Sequence, residues 1–426
     1  MTPIPRTATP PDGFVDVEVS EERAADFLTL DTWAFPASQS VSELLTWASP
    51  LDWSRARALR ATDRDGLAAI HASYGFTRFP VPGATVPAAG LTWVGVHPEF
   101  RRRGLLTAMI GTHFADCRSR NEAISVLTAS EPAIYGRFGY GMASRTVSLT
   151  LPRGAALRPV AGSEQVNVRF EVFDTDKHLA VISELHERCG AVPPGRPGWA
   201  TRETTQLQEF FADDPESLRD GFESVRILLA NSPHGPSGYA LFRRKLDWED
   251  GGPAGQVSVR EIAATDPATV HALWSRLLNF DLTTSVAIRL LLPDDPLLSL
   301  LVDLRAAKPR VRDNLWVRLV DVPAALAARR YAAPVDLAIA ISDESLPDNA
   351  GIWRIQAEAF SENVSVTRAN DAQLAMDVRE LGSLYLGGGS ASALAHAGLL
   401  TGSAEHVQQL SAAFSWPLQP GSSWIF

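Results

Sequence analysis

The chain has 426 residues, 45% of them apolar and 21% charged, with a formal net charge of −10. That length calls for two or three domains, and the acidic balance argues against nucleic acid as the main partner, since phosphate binding needs a basic excess. With 11 Trp the composition is that of a packed globular protein, and only Cys117 and Cys189 are present. Two thiols are too few for a disulfide framework or a zinc site and fit a reducing cytoplasm.

The Pro-rich start MTPIPRTATPPDGF reads as disordered; it lacks a basic region followed by an apolar core, so it does not read as a secretory signal. EERAADFLTLDTWAF has helical spacing in Ala24, Phe27, Leu28 and Trp33. GLAAIHASYGFTRFPVPG reads as a strand pair interrupted by turn residues. AAGLTWVGVHPEF reads as a strand, RRGLLTAMIGTHFADCRSRN as a helix, and AISVLTASE as a strand again. Residues 1–151 therefore read as a mixed α/β domain, followed by the looser PRGAALRPVAGSEQ. A second α/β pattern occupies 166–304. In it, QVSVREIAATDPATVHALWSRLLNF gives a strand, Asp266 as N-cap, Pro267 at the first helical turn and an amphipathic helix. A third unit, 312–426, holds strands in VDLAIAISD and GIWRIQAEAF and a helical end. The most apolar stretch, VAIRLLLPDDPLLSLLVDL, is broken by Arg289, two prolines and Asp294–Asp295 and cannot span a bilayer.

The segment VGVHPEFRRRGLLTAMIG (94–111) carries the chemistry. It places cationic side chains and several unsatisfied backbone N–H groups at the positive end of a helix, where an anion is favoured. Gly104 removes a Cβ where a phosphate would approach the backbone, and the fork of donors on arginine suits phosphate. Leu106, Ile110, His113 or Phe114, and Cys117 recur at helical spacing and anchor the other face. A solvated surface turn is the plainer alternative. The segment is neither a G-x-x-x-x-G-K-[ST] loop nor a G-x-G-x-x-G loop.

It resembles the coenzyme A loop of the GNAT acetyltransferases, R/Q-x-x-G-x-G/A: Arg101, Arg102, Arg103 and Gly104 match, and Leu106 replaces the final small residue. TWVGV, RRRGLL and ASEPAIYGRFGYG together resemble the Eis family of actinobacterial N-acetyltransferases. So do DVPAALAARRY, LGSLYLGG and the final Phe, which extends the likeness over nearly the whole chain. The resemblance implies two GNAT-like domains, the central one without the coenzyme loop, then a sterol-carrier-like α+β domain. It further implies acetyl-CoA as co-substrate and a homohexamer; no metal and a cytoplasmic location are expected from the histidine spacing and the two thiols.

Residue by residue, it implies coenzyme contacts from Val94, Gly95, Val96, Arg102, Arg103, Gly104, Leu105, Leu106 and Thr107, with Ser130 and Glu131 by the thioester. It makes Tyr135 the general acid, and Tyr140 is the alternative. A phenol pKa of ~10 lies within reach of a thiol's ~8.5, which supports a proton or hydrogen bond given to a leaving thiolate. It makes the carboxylate of Phe426 the general base, acting through water or by attraction, since an α-carboxyl at ~3.5 lies far below an ammonium at ~10. Family members that acetylate aminoglycosides carry a Glu before that Phe, where Ile425 stands. Trp33, Phe35, Trp47 and Trp93 suggest an aromatic substrate wall suited to cation–π or apolar contact. His71, His97, His113 and His178 show no metal-ligand spacing, and Ser130 is not in G-x-S-x-G.

The expected function is acetyl-CoA-dependent transfer to a primary amine of an aminoglycoside, another small molecule or a peptide lysine. The alternative is a non-catalytic hydrophobic-ligand or lipid binder with a sensory coenzyme site.

Overall fold

The structure, a computed structural model, describes residues 9–47 and 49–426. The beginning of the stretch read above as disordered lies outside those residues.

The chain opens with β1 (Phe14–Val17), β2 (Arg57–Ala61), β3 (Leu67–Val81), β4 (Ala84–Val96), β5 (Ile124–Thr128) and β6 (Gly141–Met142). Next come β7 (Arg145–Pro152), β8 (Asn167–Val172), β9 (Arg226–Ser232) and β10 (Gly235–Lys245). A small hairpin of β11 (Trp248–Glu249) and β12 (Gly252–Pro253) precedes β13 (Gly255–Ala264), β14 (Thr283–Leu291) and β15 (Arg310–Asp313). β16 (Leu315–Leu319) is followed by β17 (Val335–Ser342), β18 (Gly351–Ala357), β19 (Val364–Arg368), β20 (Leu374–Asp377) and β21 (Leu400–Gly402). The helices that matter for the site are α1 (Ala24–Ala34), α2 (Val41–Leu44), α3 (Leu105–Ser119), α4 (Thr175–Ala191), α5 (Thr205–Ala212) and α6 (Pro267–Leu277).

Two compact units result. The first contains Met1–Ser144, Asn314–Pro417 and Ile425–Phe426. It holds a seven-stranded sheet in the order β1-β2-β3-β4-β5-β16-β6 and a five-stranded sheet in the order β19-β18-β17-β20-β21. The second contains Arg145–Asp313 and Leu418–Trp424 and holds the sheet β15-β7-β14-β13-β10-β9-β8.

Two readings change. Leu67–Val81 is a single 15-residue strand rather than a strand pair; the chain reverses only at Pro82–Gly83, before β4. Arg145–Pro152, read with the first domain, pairs with β14 and β15 in the second sheet, whereas Leu315–Leu319, read with the third, pairs with β5 and β6 in the first. Alternation of apolar residues identifies a strand but carries no information about its partner. Inside the first unit, β16 is tied to the C-terminal group by Arg318, whose buried guanidinium meets Asp343 at 2.7 Å. Asp343 in turn accepts from Asn349 at 3.0 Å. Removing one partner of so buried a pair costs about 3–5 kcal/mol.

Candidate active site

The site begins with a fault in the first sheet. Against β3, Ile70 pairs with Gly95 and Ala72 with Thr92, so β4 carries one extra residue there. Trp93 takes it up with φ +54°. Such a bulge bends its strand. On its other edge β4 pairs in parallel with β5 only through Ala88–Ile124, Ala89–Ser125 and Gly90–Val126. β5 continues straight, paired with β16 as far as Thr128 opposite Leu315. Beyond Gly90 and Val126 the two strands separate, and among the described residues that edge of β4 has no strand partner.

A cavity of about 580 Å³ opens in this gap, lined by Val94, Gly95 and Val96 on one side and Ser130 and Glu131 on the other. Its third wall is the start of α3, with Arg101, Arg102 and Gly104–Thr107. Gly104 caps the helix at φ +83° and Arg102 sits at φ +63°. A Cβ on Gly104 would come no nearer than 3.5 Å to Pro11, so within the fold it is the left-handed conformation, rather than crowding, that calls for glycine. The first helical bond runs from the Ala108 N–H to the Gly104 carbonyl at 3.0 Å, which leaves the amides of Leu105, Leu106 and Thr107 ahead of the ladder. Leu105, Met109, Ile110, Phe114 and Cys117 are buried, while Leu106 stays half-buried at the cavity. Arg103 is turned away, its guanidinium 4.6 Å above the Phe14 ring and 5.7 Å from that of Phe100.

Tyr135 lies in a 3-10 turn, Pro132–Phe138, and lines the same cavity with Ile134 and Arg137. Burial, with the nearby Glu131 charge second, pushes its phenol up to about 12, so it stays protonated at neutral pH. The turn is braced from behind, because a Cβ on Gly136 would stand 2.9 Å from Cζ of Arg379, the second residue of the helix Val378–Tyr385. Tyr140 is fully buried and does not line the cavity.

The remaining expected residues scatter. Of the aromatic wall only Phe35 lines the cavity, beside Ala34. Trp33 is exposed and edge-on to His97 at 5.0 Å, Trp93 packs on Phe27 at 6.0 Å, Trp47 is half-buried away from the cavity, and Ile425 is exposed. Phe426 sits at the vertex where β4 and β5 part rather than in the cavity wall. Its ring is edge-on to Tyr74 at 6.0 Å and to Phe76 at 5.3 Å, and its backbone meets the Thr128 hydroxyl. Among the described residues no group of three or more His, Cys, Asp and Glu could hold a metal, and no helix is long and apolar enough to cross a membrane.

Residues 18–143 and 198–319 each match the model of an acetyltransferase (GNAT) domain, and 322–422 that of a sterol carrier protein domain. The chain is 34% identical to the N-acetyltransferase Eis of Mycobacterium tuberculosis over 79% of its own length and 81% of that protein. It belongs to the Eis family of GNAT N-acetyltransferases. An uncharacterized N-acetyltransferase of Streptomyces avermitilis is 40% identical over 80% of this chain and 82% of that one. The crystal structure of Eis1 from Mycobacterium abscessus superposes with a TM-score of 0.77 at 28% identity, covering 97% of this chain and all of that one.

This Eis-family chain repeats the splayed sheet in its second unit, but with altered chemistry. β13 and β14 pair in parallel only as far as Val259–Ile288, and a cavity of about 240 Å³ follows at the start of α6. There the loop is Ala264-Thr265-Asp266-Pro267. The Asp266 carboxylate accepts from the Thr269 amide at 2.8 Å and the Thr269 hydroxyl at 2.7 Å, and Pro267 has no N–H. A carboxylate thus occupies the helix end that an anion would need. Leu418 and Ser423 line the same cavity, and their segment is fastened by Gly421 N–H to Pro197 O at 2.9 Å and Trp424 Nε1 to Ala200 O at 2.7 Å.

Sequence reading missed several residues near the first cavity. Arg101 was seen only as part of the motif, and Phe100, Ile134 and Arg137 not at all. Asp31, one turn before Phe35 on α1, is held at about 7 by burial alone. Its signal was available: it is the only charged residue in the run FLTLDTWAF.

Proposed function

We propose that the first unit binds acetyl-CoA in the 580 Å³ cavity and transfers its acetyl group directly to a primary amine. The observation that carries this reading is the convergence on one cavity of the open edge of β4, the free amides at the start of α3 and the Tyr135 phenol. Backbone groups of Val94 and Val96 take the pantetheine arm, and the amides of Leu105–Thr107 with Arg101 and Arg102 take the diphosphate. Ser130 and Glu131 flank the thioester.

The amine lone pair attacks the thioester carbonyl carbon. The tetrahedral intermediate then collapses, with the C–S electron pair leaving on sulfur. Tyr135 donates its hydrogen bond or proton to that sulfur and recovers it from solvent. The carboxylate of Phe426, the last residue of the sequence, takes the amine's proton through water. This role comes from the family resemblance, and the position of Phe426 at the vertex where β4 and β5 part supports it.

For the acceptor we favour an amine with an apolar body over a polycation, because Phe35 rims the cavity and Ile425 stands where aminoglycoside-acetylating members carry a Glu. A homohexamer is the expectation from the family resemblance, and a cytoplasmic location that from the two thiols. A thiol-release screen over arylamines, alkylamines, lysine peptides, polyamines and aminoglycosides tests the reading. Highest kcat/KM for arylamines or alkylamines supports it, whereas highest values for aminoglycosides overturn the acceptor assignment. Acetyl-CoA binding without turnover of any amine overturns the enzyme assignment.

A further inference from the structure

We infer that Thr128 is a positioning residue that fixes the orientation of the Phe426 carboxylate; this rests on the reading of that carboxylate as the base. Thr128 ends β5 and its backbone is set by pairing with Leu315 on β16. Its hydroxyl donates to the carboxyl oxygen of Phe426 at 2.5 Å and accepts from the Phe426 N–H at 3.3 Å. A hydroxyl has one hydrogen and two lone pairs, so both bonds coexist, and the one to a carboxylate is charge-assisted and short.

The ring is seated separately. A Cβ on Gly90 would stand 3.2 Å from Cε2 of Phe426 and 2.6 Å from Cε2 of Phe76, so the missing side chain of Gly90 is the notch that admits the aromatic ring. Gly90 and Thr128 lie on the two strands that part here, Gly90 at the last paired position of β4 and Thr128 at the end of β5. The cavity residues Val94 and Ser130 follow shortly after them in the chain. The ring in its notch fixes where Phe426 is. The two bonds to Thr128 set the rotation of its carboxyl group about the terminal bond. A reacting group misplaced by about 1 Å loses on the order of 10²-fold in rate, so this hydroxyl acts on turnover and not on coenzyme affinity.

The test uses the full chain, acetyl-CoA and an amine that the wild type acetylates, with Thr128→Val, Thr128→Ser, deletion of Phe426, and Thr128→Val combined with that deletion. Thr128→Val keeps the shape and β-branching without the hydroxyl. We expect it to lower kcat by about 10- to 100-fold while the KM for acetyl-CoA stays within about twofold. Thr128→Ser restores most of the rate, and adding Thr128→Val to the deletion lowers it no further. Wild-type turnover by Thr128→Val beside an inactive deletion variant overturns the positioning role and leaves the base reading intact. So do losses that multiply in the combined variant. Full turnover by the deletion variant overturns both, since no carboxylate then needs positioning. Thermal melts of each variant separate these outcomes from unfolding.

Discussion

The hydroxyl of Tyr140 is hydrogen-bonded to that of Ser125 at 2.7 Å, and Ser125 in turn lies 2.8 Å from Nε2 of His113. All three residues are buried, so the Tyr140 phenol is consumed by the core. The Tyr135 ring stands edge-on to it at 5.9 Å, with a hydroxyl that has no hydrogen-bond partner among the described residues. The two tyrosines therefore differ in the quantity each variant changes. Tyr135→Phe should lower kcat by about 10²–10⁴-fold with little loss of stability. Tyr140→Phe should cost about 1–3 kcal/mol of unfolding free energy by leaving buried hydroxyls unpaired, with kcat per folded molecule retained. Steady-state kinetics beside urea titrations check both.

Gly104→Ala places a Cβ on a left-handed residue, at a cost of about 1–2 kcal/mol. To relieve that strain the loop must shift the amides that follow it. The expected result is a raised KM for acetyl-CoA with kcat at saturation largely kept. Arg102→Ala should raise the same KM, and the residual affinity should depend less steeply on salt than that of the wild type. Titrations between low and high ionic strength measure the difference.

Because Asp266 fills the helix end in the central cleft and Pro267 supplies no N–H there, that unit is expected to take no acetyl-CoA. Calorimetric titration should give one site per chain. Asp266→Ala should leave that stoichiometry at one while costing about 1 kcal/mol through loss of the N-cap. A second site in the wild type would contradict the assignment.

His71 is buried in β3 with an Nδ1 that has no hydrogen-bond partner among the described residues, and burial, then the charges of Arg57 and Arg120, push it down to about 3. The sign follows from proton counts. Between an unfolded value near 6.5 and about 3, the unfolded chain binds a proton that the folded chain refuses, so stability present above pH ~6.5 is lost as pH falls. His113, pushed down first by burial, acts in the same direction. Denaturant titrations from pH 7 to pH 4 should show a shallower decline for His71→Leu than for the wild type.

Much of this was legible in the sequence because it is local. The loop Arg101–Thr107, the strand before it and the helix after it are consecutive, and periodicity with one glycine marks them. The Asp266 cap is local in the same sense. Non-local features were not legible. The bulge at Trp93 depends on register against β3, and the exchange of Arg145–Pro152 for Leu315–Leu319 depends on which sheet has an edge to fill. Trp33, Trp47 and Trp93 share a composition but no common face, and only the packing of Phe27 and His97 decides where two of them point. Arg103 matched the motif by type, yet the Phe14 and Phe100 rings draw its guanidinium off the cavity.

A crystal structure of the chain with bound CoA measures the central claim. The account predicts diphosphate oxygens at about 3 Å from the amides of Leu105, Leu106 and Thr107, and the sulfur within hydrogen-bonding reach of the Tyr135 hydroxyl. A diphosphate lodged elsewhere, or a sulfur facing away from Tyr135, would contradict it.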